Sequence, residues 1–489
     1  MSVSTVAVLV FALASHAAAF LTNGLAVTPQ MGWDNWNAFA CSVSEDLLLG
    51  TASRMAAIGL RDAGYEYIIL DDCWSDGRSS NGSLVPDAKK FPNGMAHVAS
   101  AVHALGMKYG MYSSAGLYTC GQYVNLVAGS LGHETTDAET FAGWGVDYLK
   151  YDNCYNQGQT GDPIITFNRY NTMSMALNKT GRPILYSMCQ WGEDGPWNWA
   201  MTIANSWRVT GDITDTFDRP DSRCPCSEEM GLNCKLPGYH CSVMNIINKA
   251  AFYLNKGQPG AWNDLDALEV GNGGMSDEEY KAHFTLWAAA KSPLIIGTDV
   301  RLLSAASYSI YMNPAVIAIN QDPLGSPMVR RWRYPVNDKD QYGNGEIAMF
   351  SGELYGSNQV VILLNSGNVD RMMNATLADI FVDNGGAKAP GALLTYDLFD
   401  LWGNRMDNMT ANSILSYNAS MPAQDFNSTW LNTTQTTYAQ ALMANSSVVL
   451  GKQVGTVQAG GMISAMVPRH GVMAYRIRPQ MMSTSKSEL

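Results

Sequence analysis

Over the first three hundred residues, short β-branched and aromatic runs alternate with segments whose apolar residues recur at helical spacing. Eight runs have the composition of buried strands, and they cover residues 31–36, 65–70, 108–113, 146–151, 184–188, 207–209, 261–263 and 293–296. Helical spacing covers residues 45–58, 95–105, 165–177, 242–254 and 277–290. Eight strands with intervening helices over about 270 residues predict an α/β fold, the (β/α)8 TIM barrel. A doubly wound sheet is the alternative, but no glycine-rich phosphate loop follows the first strand.

The alternation ends after Asn320-Gln-Asp-Pro323. Beyond that point, strand-like runs at 346–350, 359–364, 393–396 and 471–477 are separated by Asn, Gly and Ser turns. This pattern predicts a barrel over residues 21–323 followed by an antiparallel β-sandwich domain over residues 324–489. The stretch 403–447 is rich in Asn, Thr and Ser, and it predicts long loops.

The composition restricts the class of partner. Charged residues make up 15% of the chain, below the average of about 25%, while apolar residues reach 46% and the net charge is −12. Such a chain fills a large core, which excludes a disordered protein or a coiled coil. Because an acidic surface repels phosphate backbones, we expect no nucleic acid partner and favour a small or neutral one. The sequence leaves the oligomeric state open.

The N-terminus resembles a secretory signal. An unbroken apolar run, Val6–Ala14, precedes Ala17-Ala18-Ala19, and nine apolar residues are too few to span a bilayer core. We interpret residues 1–20 as a cleaved signal peptide, the alternative being a buried N-terminal helix, and we expect a secreted, extracellular protein without a membrane anchor. Candidate N-glycosylation sites fit that location; they are Asn81, Asn178, Asn374, Asn408, Asn418, Asn427, Asn432 and Asn445.

All nine cysteines lie between Cys41 and Cys241. In a secreted chain an odd number predicts disulfides and one unpaired thiol. Cys224, Cys226, Cys234 and Cys241 lie in a Pro- and Gly-rich stretch, where a zinc knot is the competing interpretation. Their spacing fits no common zinc site, and we expect no metal and no cofactor.

The candidate chemistry is carboxylate chemistry. None of the seven histidines follows a predicted strand, and no GxSxG segment is present. A metal-dependent hydrolase would therefore lack histidine ligands at the strand ends, and a Ser-His-Asp hydrolase would lack its base and its nucleophile segment. Acidic, aromatic or amide residues instead follow strand after strand, and in a barrel these positions converge at the C-terminal mouth. They are Asp71-Asp72, Tyr112, Asp152, Gln190-Trp191, Asp212, Asp264 and Asp266.

Two of these acids have the context of a glycosidase pair. Lys150 lies two positions before Asp152, on the same face of the strand, and would favour its ionised form. A buried ion pair that only stabilises the barrel is the alternative. Asp212 ends the sixth strand and could serve as the proton donor. Aromatic surface suited to the apolar faces of sugars lies beside these strand ends, at Trp33, Trp36, Trp74, Trp191, Trp207 and Trp262.

Five ordered motifs resemble those of the α-galactosidases (melibiases) of glycoside hydrolase family 27, especially the secreted fungal members. They are Thr28-Pro-Gln-Met-Gly-Trp33, Leu70-Asp-Asp-Cys-Trp74, Lys150-Tyr-Asp-Asn-Cys154, Trp207-Arg-Val-Thr-Gly-Asp212 and Pro259-Gly-Ala-Trp-Asn-Asp264. The similarity extends over essentially the whole mature chain and ends in His470-Gly-Val-Met-Ala-Tyr475.

The resemblance implies a role for each site residue. Asp152 would be the nucleophile and Asp212 the acid/base of a retaining double displacement. Asp71 and Asp72 would hold the galactose hydroxyls at C4 and C6, with Trp36 as an apolar wall. The remaining pocket residues would be Tyr112, Lys150, Gln190, Trp191, Arg208 and Asp266. Implied disulfides are Cys41–Cys73, Cys120–Cys154, Cys224–Cys241 and Cys226–Cys234, which leaves Cys189 free.

The expected activity is therefore exo-acting hydrolysis of terminal α-D-galactosyl residues from galacto-oligosaccharides of the melibiose and raffinose type and from galactomannan. Gln190 stands where many members carry Glu, at a position that contacts the C2 side of the sugar. Because of this departure, β-L-arabinopyranosides and α-N-acetylgalactosaminides remain alternative substrates for the same mechanism. The alternative to an enzyme is a sugar-binding protein with the same barrel and no catalytic activity.

Overall fold

The computed structural model describes residues 23–121, 127–219, 240–382, 389–416 and 429–480. The expected signal peptide lies outside these residues. Within them, no helix combines the length and apolar character that crossing a membrane requires.

Eight parallel strands form the first sheet, and all eight strand predictions are confirmed. They are β1 (Met31–Asp34), β2 (Tyr67–Leu70), β3 (Lys108–Ser114), β4 (Tyr148–Asp152), β5 (Leu185–Met188), β6 (Ser206–Arg208), β7 (Trp262–Asp264) and β8 (Leu294–Ile296). Their order is β7-β6-β5-β4-β3-β2-β1-β8. A parallel bridge from Leu268, just past β7, to Ile296 of β8 joins the two ends. The closed ring is the predicted TIM barrel, with each strand's carboxyl end at one mouth.

The helices around the ring are α1 (Glu45–Ala57), α2 (Met95–Ala104), α3 (Glu134–Trp144), α4 (Pro163–Lys179), α5 (Val243–Ala250), α6 (Asp277–Ala289), α7 (Ala305–Tyr311) and α8 (Pro314–Asn320). Local capping fixes several starts: Ser44 caps α1, Asp162 precedes a proline in α4, and Ser276 forms a capping box with Glu279. The sequence did not indicate α3, α7 and α8. In α3 polar residues dominate, which hides the apolar face formed by Ala138 and Phe141.

The C-terminal part is an antiparallel sandwich, as predicted. Its strands are β9 (Val329–Pro335), β10 (Glu346–Leu354), β11 (Asn358–Asn365), β12 (Arg371–Thr376), β13 (Tyr396–Asp400), β14 (Lys452–Val457), β15 (Met462–Val467) and β16 (Gly471–Pro479). Six of them form a sheet in the order β9-β10-β11-β16-β13-β14, and β12 pairs with β15 in a second sheet. Met373 and Ile463 of the small sheet share a buried cluster with Val361 and Leu363 of the large one.

Strand β11 is buried on both faces. Its alternate residues Val360, Ile362 and Leu364 belong to the cluster that fills the barrel region, while Val361 and Leu363 belong to the core of the sandwich. The large sheet therefore packs against the barrel on one face and against the small sheet on the other.

The prediction of long loops over 403–447 is wrong in part. Among the described residues this stretch contains helices at Asn408–Leu415 and Tyr438–Met443. It is anchored on the barrel: the Tyr438 hydroxyl donates to the Ala63 carbonyl over 3.1 Å, and the Thr433 amide donates to the Asp62 carbonyl over 2.7 Å. Asp407 and Thr437 cap these helices, so the polar composition supplies caps as well as turns.

Candidate active site

A cavity of about 1000 Å³ lies at the mouth of the barrel. Among the residues that line it are nearly all the site residues predicted from the sequence: Trp36, Asp71, Asp72, Tyr112, Lys150, Asp152, Trp191, Arg208, Asp212 and Asp266. Their side chains come from the ends of β1 to β7 or from the segments that follow them. The rule that strand-end polar residues converge at one mouth therefore holds for this chain.

Asp152 ends β4 at the inner part of the cavity, and its side chain is held by several partners. The Tyr112 hydroxyl donates to Oδ2 over 2.7 Å, and the Asn153 amide donates to Oδ1 over 2.9 Å. The Cys120 sulfur lies 3.0 Å from Oδ2. These contacts fix the direction of the carboxylate while leaving it at the cavity wall.

The pKa of Asp152 is raised to about 6, mainly by burial and also by repulsion from Asp212. The nearby charge of Lys150 and the hydrogen bond from Tyr112 act in the opposite direction. Asp152 is therefore ionised above about pH 6 and becomes a neutral acid below it.

Lys150 makes its ion pair with a different acid from the one that the sequence suggested. Its Nζ lies 2.6 Å from Asp71 Oδ2 and 3.7 Å from Asp34 Oδ2, at the end of β1. Although burial alone would lower the pKa of the lysine, these two carboxylates raise it well above its usual value. Lys150 is thus a fixed cation that orients Asp71 and influences Asp152 through space.

Asp72 accepts hydrogen bonds from two backbone amides: its Oδ1 from Cys73 and its Oδ2 from Gly121, both over 2.6 Å. Burial and the charge of Asp71 together raise its pKa to about 6. Asp71 and Asp72 are nearly inaccessible, at 2% and 1% exposed, so they present only their inward edges to the cavity.

Arg208 connects Asp212 to Asp266 on the other side of the cavity. One guanidinium nitrogen lies 3.0 Å from Asp212 Oδ1 and 2.7 Å from Asp266 Oδ2. The Asp266 carboxylate also accepts from the Ile213 amide over 2.8 Å. The Asp212 side chain remains 46% exposed, so it is open to a molecule that enters the cavity.

Asp264, which ends β7, does not line the cavity, and neither does Gln190. The side chain of Gln190 is fully buried, and neither amide atom has a hydrogen-bond partner within the described part of the chain. The adjacent Trp191 does line the cavity, with a positive φ of 66°. In this structure Gln190 therefore presents no atom through which it could sense the C2 side of a sugar.

The aromatic rim proposed from the sequence is smaller than expected. Trp36 and Trp191 line the cavity, but the other four tryptophans are buried and donate their indole N–H groups inside the fold. The acceptors are the Thr298 carbonyl for Trp33, the Tyr112 carbonyl for Trp74, Asn263 Oδ1 for Trp207 and the Ala26 carbonyl for Trp262. They build the barrel that holds the site.

Two of the implied disulfides are present, Cys41–Cys73 and Cys120–Cys154. The second borders the cavity beside Asp152, and Cys189 carries a free, buried thiol. The pairings Cys224–Cys241 and Cys226–Cys234 involve residues outside the described part of the chain, as do the sequons at Asn418 and Asn427. Of the other six sequons, Asn432 is half-buried and the rest are exposed. Within the described ranges, no group of three or more His, Cys, Asp or Glu side chains could hold a metal ion.

Some cavity residues were missed by the sequence analysis. Asn37, Asp215, Glu269, Asn272 and Asp299 also line the wall. They lie three to eight positions beyond the ends of the barrel strands, Asn37 in the short helix Trp36–Phe39 and the others in the segments that follow β6, β7 and β8. Extending the strand-end search into each following loop would have found Asn37 and Glu269, but nothing local marks Asn272 as a wall residue.

Comparisons with known proteins agree with this geometry. Residues 28–223 and 238–322 match the family described as "Alpha galactosidase A", and residues 344–428 match its "Alpha galactosidase C-terminal beta sandwich domain". An α-galactosidase of Lachancea cidri is 56% identical over 458 residues, covering 94% of this chain and 95% of the relative. "Alpha-galactosidase 6" of Saccharomyces cerevisiae is 55% identical over 94% of this chain and 95% of its own.

Solved structures give the same result. An α-galactosidase structure from Saccharomyces cerevisiae is 54% identical, covers 94% of this chain and 99% of its own, and has a TM-score of 0.88; a second one was solved with raffinose. α-Galactosidase I of Mortierella vinacea is 44% identical over 93% of this chain and 98% of its own, with a TM-score of 0.75. With both domains matched and more than half of the aligned residues identical to those of curated relatives, the chain belongs to the α-galactosidase family, glycoside hydrolase family 27.

Proposed function

We propose that this chain is a secreted, exo-acting α-galactosidase that works by retaining double displacement. The observation that carries the proposal is the placement of Asp152 and Asp212 on the wall of one cavity, in a chain of this family. The substrates are terminal α-galactosides, the class to which the raffinose of the related yeast structure belongs.

The first half of the reaction is glycosylation. The Asp152 carboxylate attacks the anomeric carbon of galactose and forms an ester, while Asp212 donates its proton to the departing glycosidic oxygen. Tyr112 supports this role because its hydroxyl donates to Asp152 Oδ2 and so directs the carboxylate. In the second half, Asp212 takes a proton from water, whose oxygen replaces the ester bond and releases α-galactose.

The other predicted residues that line the cavity bind the sugar or hold the groups that do. Asp71 and Asp72, fixed by Lys150 and by backbone amides, accept hydrogen bonds from galactose hydroxyls. Arg208 holds Asp212 and Asp266 in place. Because side chains such as Trp33 and Trp207 fill the barrel below, the cavity admits the end of a saccharide, in accord with exo action.

Replacement of each acid and rescue by azide tests the two roles separately. Asp152→Ala should lose release of nitrophenol from p-nitrophenyl α-galactoside, and azide should restore it with β-galactosyl azide as product. Azide then occupies the face that the carboxylate has left. In Asp212→Ala the ester still forms, and azide attacks it from the opposite face to give the α-azide. Near-normal activity of Asp152→Ala, or exchanged azide products, would contradict the assignment.

The choice of sugar is tested by comparing kcat/KM on the p-nitrophenyl glycosides of α-galactose, β-L-arabinopyranose and α-N-acetylgalactosamine. We expect α-galactose to give the highest value, whereas a higher value for either other sugar would overturn the preference.

Secretion and N-glycosylation remain part of the proposal. The apolar N-terminal run, the two disulfides and the exposed sequons Asn81, Asn178, Asn374, Asn408 and Asn445 support them.

A further inference from the structure

The cavity has a second wall to which the catalytic roles assign nothing. The segments that follow β7, β8 and β1 form it, and these strands are neighbours in the ring. Its polar groups include Asn37, Glu269 and Asn272, and its apolar groups include Phe39 and Leu302, which is 81% exposed. We call Asn37, Glu269 and Asn272 the amide–acid triad.

Hydrogen bonds hold the triad together. Glu269 is 3% exposed, and its two carboxyl oxygens accept from the side-chain amides of Asn37 and Asn272. Burial raises the pKa of Glu269 to about 8, so the group is a neutral acid in weakly acidic solution. The carbonyl oxygens of both amides accept no hydrogen bond from the described residues, and both side chains reach the cavity.

The position of the triad relative to the catalytic acids follows from the strand order and from one ion-paired arginine. Arg208 joins Asp212 to Asp266, and Asp266 and Glu269 lie in the same segment after β7. Of the groups proposed for galactose, Asp71 and Asp72 follow β2 and Lys150 lies within β4. Through Glu269 and Asn272, after β7, the triad therefore continues the wall next to Asp212, the group that gives the leaving group its proton, while Asn37 follows Trp36 toward the galactose groups.

We propose that the amide–acid triad binds the leaving-group sugar and makes the enzyme favour a saccharide leaving group over a small one. This inference rests on the proposed function. The carbonyl oxygens of both amides can accept from sugar hydroxyls, and Asn37 keeps one N–H to donate, whereas both N–H groups of Asn272 already donate to Glu269 and to the Gly297 carbonyl. Phe39 and Leu302 offer apolar surface to the ring faces. A cavity of about 1000 Å³ lies at the upper end of the range of about 300–1,000 Å³ for ligand pockets, so there is room beyond one galactose.

Two substrates that share the galactosyl group but differ in the leaving group test the proposal. Melibiose releases glucose, while α-galactosyl fluoride releases only fluoride. In Asn37→Ala and Asn272→Ala we expect kcat/KM for melibiose to fall by about two- to twelvefold per variant, the range of one neutral hydrogen bond. For the fluoride we expect a change of less than about twofold. Inhibition by free glucose should weaken in the same variants.

The control is Asn404→Ala, an exposed asparagine on a turn outside the cavity, which should leave both substrates unchanged. Glu269→Gln adds a test that keeps the shape of the buried group, and it should reproduce the selective loss. Equal losses on both substrates, or no loss on melibiose, would overturn the role of the triad. If the unaltered enzyme hydrolyses neither substrate, the proposed function itself fails, so the two failures are distinguishable.

Discussion

The hydrogen bond from Tyr112 to Asp152 makes a quantitative prediction about the pH dependence of the enzyme. The phenol oxygen lies 2.7 Å from Asp152 Oδ2, and the two side chains are 1% and 7% exposed. A hydrogen bond to a charged group contributes about 1.5–3 kcal/mol, and 1.36 kcal/mol corresponds to one pKa unit. Because this bond stabilises the ionised carboxylate, Tyr112→Phe should raise the pKa of Asp152 by about one to two units.

The expected effect is a shift of the acidic limb of kcat/KM. In the unaltered enzyme that limb should lie near pH 6, where Asp152 loses its charge; in Tyr112→Phe it should move to about pH 7–8. Activity at pH 5 therefore falls more than activity at pH 8. The assay is a stopped measurement of nitrophenol release from p-nitrophenyl α-galactoside across pH 4–9.

Tyr109→Phe is the matched control. Tyr109 lies on the same strand and is equally buried, but its hydroxyl contacts Met95 Sδ at 3.3 Å and not the cavity. The control should keep the limb near pH 6. An unmoved limb in Tyr112→Phe, or an equal shift in Tyr109→Phe, would refute the reasoning.

Two further predictions concern stability. Lys291 is 1% exposed, and burial lowers its pKa from 10.5 to about 7. Because the pKa is lower in the folded state than in the unfolded state, the buried lysine reduces the free energy of unfolding. This destabilisation is complete below pH 7 and declines as the pH rises toward 10.5. Lys291→Met should therefore increase the free energy of unfolding by about 2–3 kcal/mol more at pH 5 than at pH 9, as measured by urea titration at both pH values. The control is Lys179→Met, at an exposed lysine, which should show no such difference. At Gly116 an added Cβ would lie 1.8 Å from the Cys154 carbonyl oxygen, so Gly116→Ala should lose about 2 kcal/mol or more by thermal unfolding. Gly50→Ala, a helical position with open space, should gain about 0.5–1 kcal/mol; similar melting temperatures for the two variants would contradict this.

The sequence was sufficient for the barrel because its strands are short, apolar and buried on both faces, which makes each run distinct from the helices around it. It was less informative for β12 and β15. In these strands Met372, Met462 and Met466 occupy exposed positions, so the sequence does not show the apolar/polar alternation of a half-buried strand. It also failed for α3, whose few apolar residues give little periodicity.

The candidate site was likewise predicted in part from the sequence. Asp152, Asp212 and their neighbours were found because strand ends meet at one mouth. The ion-pair partner of Lys150 was not found. Spacing along one strand relates Lys150 only to Asp152, whereas Asp71 follows β2, two strands away in the ring. Gln190 does not line the cavity for a related reason: a strand-end position fixes the location of the backbone but not whether the side chain turns toward the cavity or into the fold.

Strand β11 has a consequence for how the molecule can be divided. Because one face of this strand completes the packing around the barrel and the other forms the sandwich core, a cut between the two domains would expose an apolar surface on each piece. The sandwich acts as an outer wall of the catalytic unit and cannot be exchanged like an appended module. The two domains should therefore denature together, and replacement of the C-terminal domain would require a new sheet face with the same apolar pattern.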